Sequence, residues 1–124
     1  MRPLGKRASL TNILGLGGVA GALLFLPTFV SLHWLDPNVS VLRNYVSDYA
    51  NGSYGRLFQA SLLAHGLGNL AIAGGLSIVV SSRLGKWAAG LFGLASIGIL
   101  VTGAFATDPE GVPRTIAGTI HLVA

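Results

Sequence analysis

Three stretches of this chain carry no Asp, Glu, Lys or Arg: 28 residues from Ala8 to Leu35, 26 from Leu57 to Ser82 and 21 from Trp87 to Thr107. A hydrocarbon core about 30 Å thick is crossed by about 20 apolar residues, because a helix rises about 1.5 Å per residue. Each stretch is therefore long enough to span a bilayer. A core helix of a soluble protein would be shorter, or would turn a charged face to water; none of the three has such a face. Arg2, Lys6 and Arg7 precede the first stretch as the basic region of a signal peptide would. The run is too long for a signal's apolar core, however, and nothing like Ala-x-Ala follows before Asp36-Pro37. The first span is read as retained.

Composition agrees. Charged residues make up 10% of the 124 residues and hydrophobic ones 52%, whereas a soluble domain carries about 25% charged residues. Disorder needs low hydrophobicity and high charge, and a chain with no Cys has neither a disulfide scaffold nor a cysteine-ligated zinc site. The expectation is an all-α fold, a polytopic transmembrane helical bundle forming a single domain over 1–124. Its spans lie at about 11–34, 57–80 and 87–106, with an outer loop at 35–55 and a partial fourth span at 115–124. Ten residues cover about half a bilayer. Either the chain is cut within its fourth helix or the segment dips in without crossing; a helix ending in mid-membrane would leave its last carbonyls unpaired, which favours the cut.

Sidedness follows from the cations. Arg2, Lys6, Arg7, Arg83 and Lys86 fall on one side with no acid, while Arg43, Arg56 and Arg114 share the other with Asp36, Asp48, Asp108 and Glu110. The positive-inside rule places the first side, and the N-terminus, in the cytoplasm. The excess of basic residues is then a topology signal rather than a nucleic-acid footprint, since no basic stripe alternates with aromatic residues.

Local pattern adds detail. Gly17-x-x-x-Gly21 in span one matches a small-residue packing motif, and Ala60, Ala64 and Gly68 make a small-residue face on span two adjoining that of Ser61, His65 and Asn69. Pro27 removes a backbone donor and should bend span one. Gly15-Leu16-Gly17-Gly18-Val19-Ala20 fits a dinucleotide fingerprint, but no strand precedes it, so the reading fails. In the outer loop, Asp36 and Pro37 can start a helix in which Val39, Leu42, Val46 and Tyr49 recur at helical spacing, closed by Asn51-Gly52. A short interfacial helix is expected there, with tyrosines at headgroup depth; an irregular loop is the alternative. His33, beside Trp34, reads as an interfacial residue. Asn38-Val39-Ser40 and Asn51-Gly52-Ser53 fit the glycosylation acceptor pattern and would matter only in a eukaryotic host.

Ser61, His65 and Asn69, spaced by four, stack on one face of span two, which should point inward because polar groups in lipid are costly. Asp108 to Pro113 is turn chemistry that sets spans three and four side by side; Arg114, Gly118 and His121 then share a face of the fourth helix. His65 lies nine residues from Arg56 and His121 seven from Arg114, so the two imidazoles sit roughly 13 and 10 Å below the outer interface. With Asp108 above and Asp48 within reach from the loop, the candidate polar site is His65, His121, Asp108, Asp48, Ser61 and Asn69. Such a set would suit a metal, a proton relay or a polar headgroup. The plainer reading is interhelical hydrogen bonding, each such bond contributing about 0.6 kcal/mol.

Ser47-Asp48-Tyr49 with Gly52-Ser53-Tyr54-Gly55, and Phe105-x-x-Asp108 with Gly111, Pro113, Arg114, Gly118 and His121, give the chain its resemblance. It resembles the multi-spanning membrane family known as domain of unknown function 998. The resemblance implies a longer, six-helix architecture, of which this chain would be a truncated member, with Asp48, Asp108 and His121 as marked positions. It implies no activity.

The sequence favours a non-catalytic integral membrane protein that packs with other membrane helices or binds a lipid or small amphiphile. Its partner is the bilayer, and no cofactor or nucleic acid is expected. The alternative is a membrane-embedded metal-dependent hydrolase, with a His/Asp site in the outer half of the bilayer activating a water on zinc. A transporter would need polar residues in both leaflets, and the inner half has almost none.

Overall fold

The computed structural model describes residues 4–40 and 42–124. The described residues are 77% helix, with no strand among them. Four α-helices follow in order: α1 (Leu4–Leu35), α2 (Gly55–Val79), α3 (Arg83–Ala104) and the short α4 (Ile116–Val123). The first three are long and apolar enough to cross a membrane, and the chain is a multi-pass membrane protein. Arg2, one of the cations that set the expected sidedness, lies outside the described residues.

The spans read from charge gaps fall within these helices or run a residue or two past them, and all three long helices begin before their gaps, α1 and α3 by four residues and α2 by two. α1 includes Lys6 and Arg7, and its 32 residues measure about 48 Å at about 1.5 Å each, more than the hydrocarbon needs. α3 begins at Arg83 because the Ser82 hydroxyl accepts the Gly85 amide at 3.0 Å, an N-cap that fixes the start ahead of the apolar run. α1 continues through Pro27, and the Gly15–Ala20 fingerprint lies inside it, where no phosphate loop exists.

α2 stands between α1 and α3, antiparallel to both. A Cβ on Gly21 would lie 2.6 Å from the Ala64 carbonyl oxygen and 3.0 Å from the Gly68 Cα, and one on Gly68 would lie 3.1 Å from the Gly21 Cα. Backbone atoms cannot yield to such contacts, so glycine at both positions is what lets the helices touch. Gly17 joins the seam opposite Ala71, so the two small-residue faces read from sequence meet each other. Ala60 is exposed and takes no part. On the far side of α2, Gly66 receives Leu100, and Leu63 fills the space beside Gly103.

The outward faces of the long helices carry exposed leucines, isoleucines and valines, as a lipid-facing surface should. Trp34 at the end of α1 and Trp87 at the start of α3, 76% and 64% exposed, mark opposite ends of the bundle at the depth where indole rings collect. Most hydroxyls inside the long helices turn back on their own backbone. Thr28 donates to the Leu24 carbonyl, Ser31 to Pro27, Ser61 to Phe58, Ser77 to Gly74, Ser96 to Phe92 and Thr102 to Ile99.

Between α1 and α2 the chain departs from the expected interfacial helix. Residues 37–45 are turns, bends and irregular chain, apart from Val41, which lies outside the described residues, and only Val46–Asn51 is helical, as a 3-10 turn. Asp36 does not start a helix; it ends α1, its amide donating to the Leu32 carbonyl at 2.9 Å. The reason is tertiary: Tyr49 is drawn into a core with Leu32 and Phe58, which a rod lying in the interface could not reach.

Candidate functional site

The polar residues gather at the end of the bundle where α1 and α3 finish and α2 and α4 begin. Two corners build it, each an Asp-Pro pair at or just beyond a helix end.

The first corner is Asp36-Pro37. Only 2% of Asp36 is exposed, and its Oδ2 has no hydrogen-bond partner among the described residues. That oxygen rests on Gly52, in the space a Cβ would need. Tyr49, also 2% exposed, packs its ring against Phe29, His33 and Phe58 and donates its hydroxyl to the Val39 carbonyl at 3.4 Å. Burial, and then the charge of Asp36, push the Tyr49 phenol above its ordinary value. Asp48 is held in place as an acceptor: its Oδ2 takes the Tyr45 amide at 2.9 Å and the Asn44 side-chain amide at 3.4 Å.

The second corner is Asp108-Pro109. Here the carboxylate is satisfied: Oδ2 accepts the Thr115 amide at 2.8 Å and Oδ1 the Thr115 hydroxyl at 2.7 Å. These bonds from Thr115, the side-chain one first, hold the Asp108 carboxyl below its ordinary range, helped by the Arg114 charge. The Thr115 hydroxyl in turn accepts the Gly118 amide at 3.0 Å, capping α4. Gly118 has no Cβ because the Asp108 carboxylate occupies that space. One turn on, His121 Nδ1 lies 2.7 Å from the Phe105 carbonyl at the end of α3. A carbonyl only accepts, so the proton sits on Nδ1, and in the neutral ring Nε2 keeps its lone pair.

Two adjoining cavities open between the corners. The larger, about 590 Å³, is lined by Asp48, Asp108, Glu110, Arg114 and His121 together with the apolar Val112 and Leu122. The smaller, about 310 Å³, is lined by Asp36, Asp48 and Glu110 with the amides of Asn38, Asn44 and Asn51. Asp48, Pro109 and Glu110 belong to both. All four acidic residues of the chain thus line one or both of these adjoining cavities.

The structure brings together Asp48, Asp108 and His121 of the residues singled out from sequence. It places the others elsewhere. His65 lies on the side of α2 that meets α1, stacked on Phe25 at 4.7 Å between ring centroids, with Nε2 3.3 Å from the Asn69 amide nitrogen. Ser61 is buried and spends its hydroxyl on the Phe58 carbonyl. α4 packs on α3, so the two histidines stand on different sides of the bundle. Equal depth does not imply contact: counting residues along a helix fixes height and says nothing of direction around the axis. His33 is half-buried against Tyr49 and Phe29 rather than facing the interface alone. Asp36 and Glu110 were missed as site residues. The signal that could have found them is the concentration of every acid at one end.

No group of three His, Cys, Asp or Glu side chains among the described residues is placed to hold a metal ion. A family model described as protein of unknown function, DUF998, matches residues 19–124. No curated protein and no solved structure matches the chain.

Proposed function

We propose a role for a chain that belongs to the DUF998 family, whose description assigns none: it binds a lipid or small amphiphile, holding the headgroup in the cleft between the two corners. One observation carries this reading. The chain's four carboxylates and His121 line adjoining cavities at a single end of the bundle, directly above helix surfaces whose large exposed side chains are mostly Leu, Ile and Val. A ligand with a polar head and an apolar body matches both environments at once. Val112 and Leu122 carry apolar surface into the larger cavity itself. The cation count supports an outer position for this end.

The test is native mass spectrometry of the full chain released from nanodiscs. Wild-type protein is expected to retain about one phospholipid per chain, and the double variant Asp48→Asn, His121→Ala to retain markedly less while its helical circular dichroism is unchanged. Equal retention by both proteins would refute the assignment. Sidedness is read separately: single cysteines at Ser53 and Ser82 should label with an impermeant maleimide from outside at Ser53 only.

A metal-dependent hydrolase is the second reading. It is favoured by His121, whose Nδ1 contact with a backbone carbonyl leaves Nε2 available, as in many metal-ligating histidines. It would have to dispense with His65, which faces α1. Metal content of the purified protein before and after His121→Ala decides it.

A further inference from the structure

Resting on the amphiphile reading, we infer that the headgroup carries an ammonium group: the smaller cavity receives it, with Asp36 as its principal counter-charge.

The argument begins with an energetic anomaly. A carboxylate oxygen removed from water without a donor loses its hydration and gets nothing in return, a cost larger than most single interactions contribute. Asp36 Oδ2 is in that position, although the chain could have supplied a donor, as it does for Asp108 with Thr115. The two residues on either side of the orphan oxygen, Asp36 and Gly52, both line the smaller cavity. That cavity also presents Asp48 and Glu110 and has neither Lys nor Arg in its wall. Its charged groups are therefore all anionic, set beside asparagine and serine side chains that can accept as well as donate.

Size and geometry then choose between kinds of cation. A calcium ion needs several oxygens converging at about 2.3–2.6 Å, and no group of three ligating carboxylates or histidines exists among the described residues. A cavity of about 310 Å³ is at the small end of molecular sites, about 300–1,000 Å³, and far larger than a bare ion. An ammonium group suits dispersed acceptors, because its N–H bonds point in three directions. Depth identifies the source: Trp34, two residues before Asp36, is exposed at the level where indoles meet headgroups. Arg114, in the adjoining cavity, is suited to the phosphate of a zwitterionic head.

The experiment loads the full chain with phosphatidylethanolamine, phosphatidylcholine or phosphatidylglycerol in nanodiscs and reads bound lipid by native mass spectrometry. Wild type is expected to retain the ethanolamine lipid about tenfold over the glycerol lipid, the scale of one charge-assisted hydrogen bond. Asp36→Asn should bring that ratio close to one without abolishing retention. Glu110→Gln, an exposed position that leaves folding intact, should lower it partway. A ratio unchanged in Asp36→Asn, or no preference in wild type, overturns the inference while leaving the amphiphile reading standing. If no lipid of any kind is retained, the amphiphile reading fails. Soluble ethanolammonium chloride then decides the site alone: a rise in wild-type Tm absent from Asp36→Asn supports it, and no rise overturns it. A rise produced by calcium chloride but not by ethanolammonium identifies a metal site and also overturns it.

Discussion

The two corners share a plan and differ in one respect. In each, an Asp-Pro pair follows a helix, and the Asp oxygen occupies the space beside a glycine from an incoming segment, Gly52 in one case and Gly118 in the other. At the second corner Thr115 supplies both a backbone and a hydroxyl donor, and the carboxylate becomes a latch between α3 and α4. At the first corner Oδ2 has no donor among the described residues. The dipeptide does not decide whether a carboxylate is structural; the residue that arrives opposite it does. A satisfied acid holds the fold, and an unsatisfied one is left to hold something else.

That contrast can be broken or sharpened in order of effect. The largest effect is expected from Gly52→Ala, which drives a methyl group into the space held by the Asp36 carboxylate, a residue only 2% exposed. It should cost about 3 kcal/mol, the upper range for overpacking, read by chemical denaturation in detergent. Gly118→Ala should cost less, because Asp108 can swing to solvent; equal losses would erase the distinction. Next come the charge-neutral pair. Asp36→Asn is expected to raise the stability of the ligand-free protein by about 1 kcal/mol, since it removes a buried charge whose Oδ2 is unpaired. Asp108→Asn should lower stability, because an amide oxygen cannot serve both Thr115 donors. The same sign in both variants would contradict the comparison. Thr115→Val should cost about 1 kcal/mol as a lost N-cap and speed amide exchange at Gly118, with the first corner unaffected.

The smallest effects lie in pH. The Asp108 carboxyl is held below its ordinary 3.8, so its contribution is present above about pH 4 and fades as pH falls through the lowered value. The Tyr49 phenol is pushed above 10.0. Its contribution is therefore intact below pH 10 and is lost as pH rises through the raised value. Acid should loosen the α3–α4 corner first and alkali the α1–α2 loop, distinguishable by near-ultraviolet tyrosine signals.

Most of the fold was legible because lipid imposes few choices. Charge gaps located α1, α2 and α3, and small-residue spacing marked Gly17, Gly21, Ala64 and Gly68 as packing positions, whereas which helix each would meet came only with the structure. The loop from 36 to 54 was not legible. Asp36-Pro37 reads locally as a helix start, yet it finishes α1, since the pull of Tyr49 into the Leu32 and Phe58 core outweighs local propensity. The site was half legible. Asp48, Asp108 and His121 converge, whereas His65 and Asn69 pair with each other on α2, because axial spacing carries no azimuth. Burial of Asp36 depends on Gly52, sixteen positions away, and no local pattern records such a meeting.

The inward-turned hydroxyls of the long helices have a consequence for biogenesis. A serine or threonine whose proton is already committed to a carbonyl one turn back offers the membrane a group with little residual dipole to solvate. The insertion machinery should therefore find these segments oilier than their composition suggests, and Ser→Ala changes at Ser77 or Ser96 should barely alter the fraction of nascent chains that integrate.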